Sequence, residues 1–139
     1  MKSSVKMKPS TFKHIEAEIA SLPDLRKEIV KRREEIMNPT MTEELVGGRS
    51  NEPSDPTGRI ATRLVMDKRL GELERIERAI TSVYDKLEEK PKKLIEMLYW
   101  TNRKRTWEAI TDELEVGRMT GFRWRNEIVY AVGDKLGWH

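Results

Sequence analysis

Between Arg103 and Asn126 the chain carries two groups of side chains suited to recognition chemistry. The first is Arg103, Lys104 and Arg105; the second is Arg118, Met119, Thr120, Phe122, Arg123, Arg125 and Asn126. Arginine can pair bidentately with the major-groove edge of guanine and asparagine with that of adenine, while a methyl or aromatic group can touch the thymine methyl. Arg118, Met119, Thr120, Phe122, Arg123 and Asn126 are therefore the candidate base-reading residues. Arg103, Lys104, Arg105 and Arg125 suit phosphates, which fix register without carrying sequence information. The competing reading of Arg103 to Arg105 is a solvated loop. Trp107 and Trp124 suit core or interhelix packing more than base stacking.

Other chemistry finds little support. His14 and His139 stand at opposite ends of the sequence, and no zinc-protease, phosphate-loop or nucleophile-elbow spacing occurs. Gly47, Gly48 and Arg49 lack the lysine of a phosphate loop. There is no cysteine, so disulfides, thiolate nucleophiles and cysteine zinc sites are all excluded. The expectation is a non-enzyme without cofactor or metal. No apolar run approaches the roughly 20 residues that span a bilayer. No apolar stretch follows the N-terminal lysines, so neither a secretory signal nor a membrane partner is expected, and the expected location is the cytoplasm.

The net charge of +3 is modest, and its distribution says more. Acids and bases balance over residues 1–56, whereas Glu108, Asp112, Glu113 and Glu115 cluster between the two basic groups. Local basic patches, rather than bulk charge, are the electrostatic footprint of a DNA reader.

These residues need elements to position them. Hydrophobic and charged residues each make up 37% of the chain, and the mean hydropathy is −0.73. That balance suits long amphipathic helices with wide solvated faces. Phe12, Ile15, Ile19, Leu22, Leu25, Ile29 and Ile36 mark a first helix from a Thr11 cap to about Met37. Pro23 should kink or restart it, with Ser21 as a cap for the restart. Residues 38–56, rich in glycine and proline, read as a long connection. A second helix should start near Asp55 or Thr57, with Pro56 in its first turn, and run unbroken to about Leu87. Its stripe is Ile60, Leu64, Leu70, Leu73, Ile76, Ile80, Val83, Tyr84 and Leu87. Pro91 opens a third, carrying Leu94, Ile95, Leu98 and Tyr99.

From Thr106 to Ala131 the spacing predicts a helix-turn-helix. Thr106 caps the first helix, Ile110 and Leu114 face inward, a tight turn spans Glu115 to Gly117, and Val116 plugs the gap. The second helix buries Gly121, Trp124 and Ile128, with Val132 and Leu136 extending that face. Three positions depart from the usual pattern: Thr111 stands where alanine is common, Gly121 where valine or isoleucine is, and Glu115 where glycine is. The expected architecture is thus all-α, a long N-terminal helical hairpin over residues 1–90 followed by a C-terminal helix-turn-helix domain over 91–139. Two antiparallel helices cover only one stripe each, so a homo-oligomer, most simply a dimer, is expected.

Two separated stretches resemble a known family. One is Gly48, Arg49, Ser50 and Asn51 followed by Asp55, Pro56, Thr57, Gly58, Arg59, Ile60 and Ala61. The other runs from Arg118 to Arg125, preceded by Leu98, Tyr99, Trp100 and by Thr106, Trp107, Glu108. Both are similar to phage transcriptional regulators of the RinA/ArpU type, over nearly the whole chain. The resemblance implies an activator of late phage or prophage genes (packaging, morphogenesis or lysis) in the host bacterial cytoplasm. It also implies a C-terminal domain similar to region 4 of sigma factors, with double-stranded DNA and RNA polymerase as partners. Two rivals stand beside it: a small terminase subunit that recognises a packaging site, and a helical adaptor without DNA binding.

Overall fold

Prolines set the start and the restart of the first helical stretch. In the computed structural model, which describes residues 6–38 and 56–139, α1 spans Pro9–Ala20 and α2 spans Leu22–Met37. Pro9 is the first residue of α1, where a missing N–H costs nothing. The helix therefore begins before Thr11, whose hydroxyl donates instead to the His139 carbonyl at 2.9 Å. Ser21 marks the break, its N–H bonded to the Ala17 and Glu18 carbonyls, and Pro23 sits in the first turn of α2.

The long second helix is two helices, α3 over Pro56–Met66 and α4 over Lys68–Asp85. This corrects the unbroken helix predicted from periodicity, and Asp67 is the reason. Its Oδ1 accepts from the Leu70 N–H at 2.7 Å, the geometry of an N-cap that opens a new helix. Arg32 of α2 donates to both carboxylate oxygens, Nε to Oδ1 at 3.3 Å and Nη2 to Oδ2 at 2.6 Å. These contacts hold the Asp67 carboxyl below its ordinary value of 3.8, the Arg32 hydrogen bond first and the Leu70 N–H next. Residues 39–55, which include the expected connection, the Asp55 cap and the glycine-bearing run of the resemblance, lie outside the described residues.

The remaining helices are α5 over Glu89–Tyr99, α6 over Trp107–Leu114 and α7 over Arg118–Leu136. The fold is all-α, with no strand among the described residues. Among the described residues, no helix is long and apolar enough to cross a membrane.

The chain divides into two compact units. One comprises Asp24–Arg75, the other Met1–Pro23 with Ile76–His139. In the first, Leu25, Ile36, Leu70 and Leu73 are buried, and ion pairs join Glu28 to Arg69, Arg32 to Asp67 and Arg33 to Glu74.

The second unit departs from a boundary at residue 90, because α1 packs on α7. A Cβ on Gly133 of α7 would stand 2.7 Å from Met7 Cε, 2.9 Å from Ile15 Cδ1 and 3.0 Å from the Trp138 carbonyl. Only glycine permits so close an approach. The end of α5 also holds α1. Trp100 Nε1 donates to the Ile19 carbonyl at 2.7 Å, and Tyr99 donates its hydroxyl to Glu16 at 2.5 Å. Burial, and then the Glu16 carboxylate, push the Tyr99 phenol upward. Ile15, Ile19, Ile80, Leu94, Ile95, Ile110, Val129 and Val132 are almost wholly removed from water. At about 1.5–3 kcal/mol for each such side chain, this burial is the main stabilising contribution in the unit.

Candidate nucleic-acid interface

The site is built on α6, a turn and α7. Thr106 Oγ1 accepts from the Ala109 N–H at 3.1 Å, the side-chain cap expected from its position before an apolar run. Helix α6 lasts only eight residues and stops at Glu115, which adopts a left-handed conformation with φ of 58°. There the N–H of Glu115 reaches the Asp112 carbonyl and that of Val116 the Thr111 carbonyl, closing the helix end. Val116 then packs with Met97, Leu98, Trp107 and Trp124 against buried Leu94, Ile110 and Leu114. Gly117 leads into α7.

The atypical residues prove complementary. Thr111 is buried, and its hydroxyl returns to the Trp107 and Glu108 carbonyls at 3.1 and 3.2 Å. A Cβ on Gly121 would lie 2.9 Å from Trp107 Cζ2 and 3.0 Å from Thr111 Cγ2. Trp107 thus occupies the volume that a branched side chain on α7 would otherwise fill. Its ring also stacks on Phe122, with centroids 4.4 Å apart and planes at 13°. The Trp107 Nε1 is buried with no hydrogen-bond partner among the described residues.

The opposite side of α7 meets solvent. Arg118, Met119, Arg123 and Asn126 are exposed, Met119 to 78%, while Thr120 and Phe122 are half-buried. Ile128, Val129, Val132 and Leu136 anchor the helix from behind. Phe122, counted above among base readers, has one face engaged by Trp107. Arg118 Nη1 stands 3.4 Å from Glu108, and Arg123 Nε stands 3.7 Å from Glu127. Arg103 and Lys104 are exposed on the loop before α6. Arg105 pairs with Glu113 at 2.6 Å; that bond raises the arginine and lowers the Glu113 carboxyl from its ordinary 4.5.

Arg125 sits differently from the phosphate-facing arm expected of it. It is half-buried, with its guanidinium 5.2 Å from the Phe122 centroid, 5.4 Å from that of Phe12 and 5.7 Å from that of Trp107. It donates to Asn126 Oδ1 from Nε at 3.3 Å and from Nη2 at 3.2 Å. The Trp107 and Phe122 walls lie close in sequence to Arg125. Phe12 comes from α1, and nothing in the local pattern marks it. Among the described residues, no group of three or more His, Asp or Glu side chains could hold a metal ion.

Fold and site together define an all-helical protein that displays a short capped helix, a left-handed turn and a longer helix with a polar outer strip. The chain belongs to a family described as a protein of unknown function (DUF722), which matches residues 23–134. No curated protein and no solved structure matches the chain.

Proposed function

We propose that this protein is a sequence-specific DNA-binding transcriptional regulator whose reading helix is α7. One observation carries the reading: the exposed strip Arg118, Met119, Arg123 and Asn126 on a helix anchored from behind by Ile128, Val129 and Val132. A short helix, a tight turn and a second helix whose N-terminal residues reach base edges is the docking geometry of helix-turn-helix readers. Electrostatics add support. Helix α7 starts with Arg118 and has no acid in its first turn, an arrangement that opposes its own dipole and suits a polyanionic partner.

The finer assignment is an activator of late phage or prophage genes that acts in the bacterial cytoplasm and contacts RNA polymerase. It rests on the likeness of the Arg118 to Arg125 run, and of the residues leading into it, to RinA/ArpU-type regulators. A dimer completes the proposal, because two heads on two half-sites multiply a modest single-head affinity.

Selection of bound sequences from random duplex DNA by the full chain is the test. A defined site should emerge. Arg123→Ala should weaken binding to that site by about 5- to 150-fold while leaving non-specific binding nearly unchanged. Absence of any enriched sequence would refute the proposal.

A further inference from the structure

Asn126 does not present both ends of its amide to the outside. Arg125 donates two hydrogen bonds to its Oδ1, and a carbonyl oxygen has two lone pairs. What remains for a partner is Nδ2 with its two N–H donors. The neighbouring arginine is no free arm: the residue is half-buried and its guanidinium lies over Phe12, Trp107 and Phe122, which come from three different helices. Turning it out to solvent would give up those ring contacts, each favourable for a cation. The amide orientation is therefore built into the packing of α1, α6 and α7.

Base edges differ in what they ask of such a group. Adenine offers N7 as acceptor and N6 as donor, so reading it needs one donor and one acceptor together. Guanine offers N7 and O6, both acceptors, whereas thymine offers O4 alone, so only guanine supplies an acceptor for each of the two N–H groups. An amide with its oxygen already committed matches guanine and leaves the adenine amino group without a partner. We infer that Arg125 is a positioning residue that turns Asn126 into a donor-only reader, and that the base Asn126 meets is a guanine. The inference rests on the DNA-reading role proposed above and makes it specific at one position. It also replaces the adenine pairing expected for Asn126 and the phosphate contact expected for Arg125.

The experiment takes the selected site, its single-base variants and a 7-deazaguanine version, and titrates each with the full chain. In the wild type, one guanine should lose about tenfold in affinity when replaced by adenine or 7-deazaguanine. Asn126→Ala should be indifferent at that position. Asn126→Asp keeps an acceptor for Arg125 but has no donors, so it should lose the guanine preference. Arg125→Met keeps an apolar side chain against the rings and frees the amide oxygen, so the preference should move toward adenine. A wild type whose Asn126-dependent base is adenine overturns the inference, as does an Arg125→Met protein with unchanged preference. If Arg125→Met does not fold, Asn126→Asp decides alone, because its side chain is on the surface; retained guanine preference then overturns the inference. A defined site without an Asn126-dependent guanine removes this inference only, whereas no defined site removes the DNA-reading proposal with it.

Discussion

Glu115 holds a backbone angle that a side chain with a Cβ adopts at a cost. Its φ of 58° places it in the left-handed region, which costs a non-glycine residue about 1–2 kcal/mol. Glu115→Gly relieves that cost but gives the unfolded chain more freedom, so the net gain should be about 0.5–1 kcal/mol. Thermal melting of the two proteins checks this; a lower melting temperature for the glycine variant would contradict it. The position also shows what a residue type hides. Glycine is the usual signature of such a turn, and a glutamate there reads as a mismatch, although the neighbouring Thr106 cap and the Ile110, Leu114 and Val116 spacing all point to the same geometry. Local signals of that kind made the α6–turn–α7 unit legible. The setting of Arg125 was not, because one of its ring walls, Phe12, belongs to a helix at the far end of the sequence.

At the scale of elements, Asp67 decides where one helix ends and another starts. Apolar spacing is helical on each side of the break, but Leu64 and Leu70 stand six residues apart, roughly 120° off a single helix face, a slip that a reading of one continuous stripe passes over. An aspartate amid charged neighbours reads as solvated surface until Arg32 is found holding it. The carboxyl is depressed in the folded state relative to its ordinary 3.8. The stability it contributes is therefore present above that value and lost as pH falls through the lower folded value. Asp67→Asn should lower the melting temperature at neutral pH. The gap to wild type should then close once the pH drops below the depressed value. A gap that does not narrow as the pH falls below the ordinary 3.8 would mean that the charge of Asp67 is irrelevant and only its shape matters.

Across the whole molecule, α1 belongs with the C-terminal helices in one compact unit, so residues 91–139 alone lack a piece of their own packing. Deleting residues 1–20 from the full chain uncovers the side of α7 around Gly133, which Met7 and Ile15 cover. The expected result is a lower melting temperature reported by intrinsic tryptophan fluorescence, together with weakened DNA binding. Unchanged melting would show α1 to be dispensable. Val30, Met37, Val65 and Met66 stay exposed in the other unit, apolar surface that the proposed dimer would use. Sedimentation equilibrium at micromolar concentration should find two copies. A monomer would count against the dimer, and a ring-sized species would favour the packaging rival over the regulator. The three rings around Arg125 carry an evolutionary consequence as well. Phe12 lies on a different helix from every candidate base-contacting side chain, yet it braces the arginine that sets the amide of Asn126. Under the proposed DNA-reading role, operator preference would therefore drift through changes in α1 that leave the candidate base-contacting residues untouched. Genetic selection for altered operators should return Phe12 substitutions beside those at Asn126.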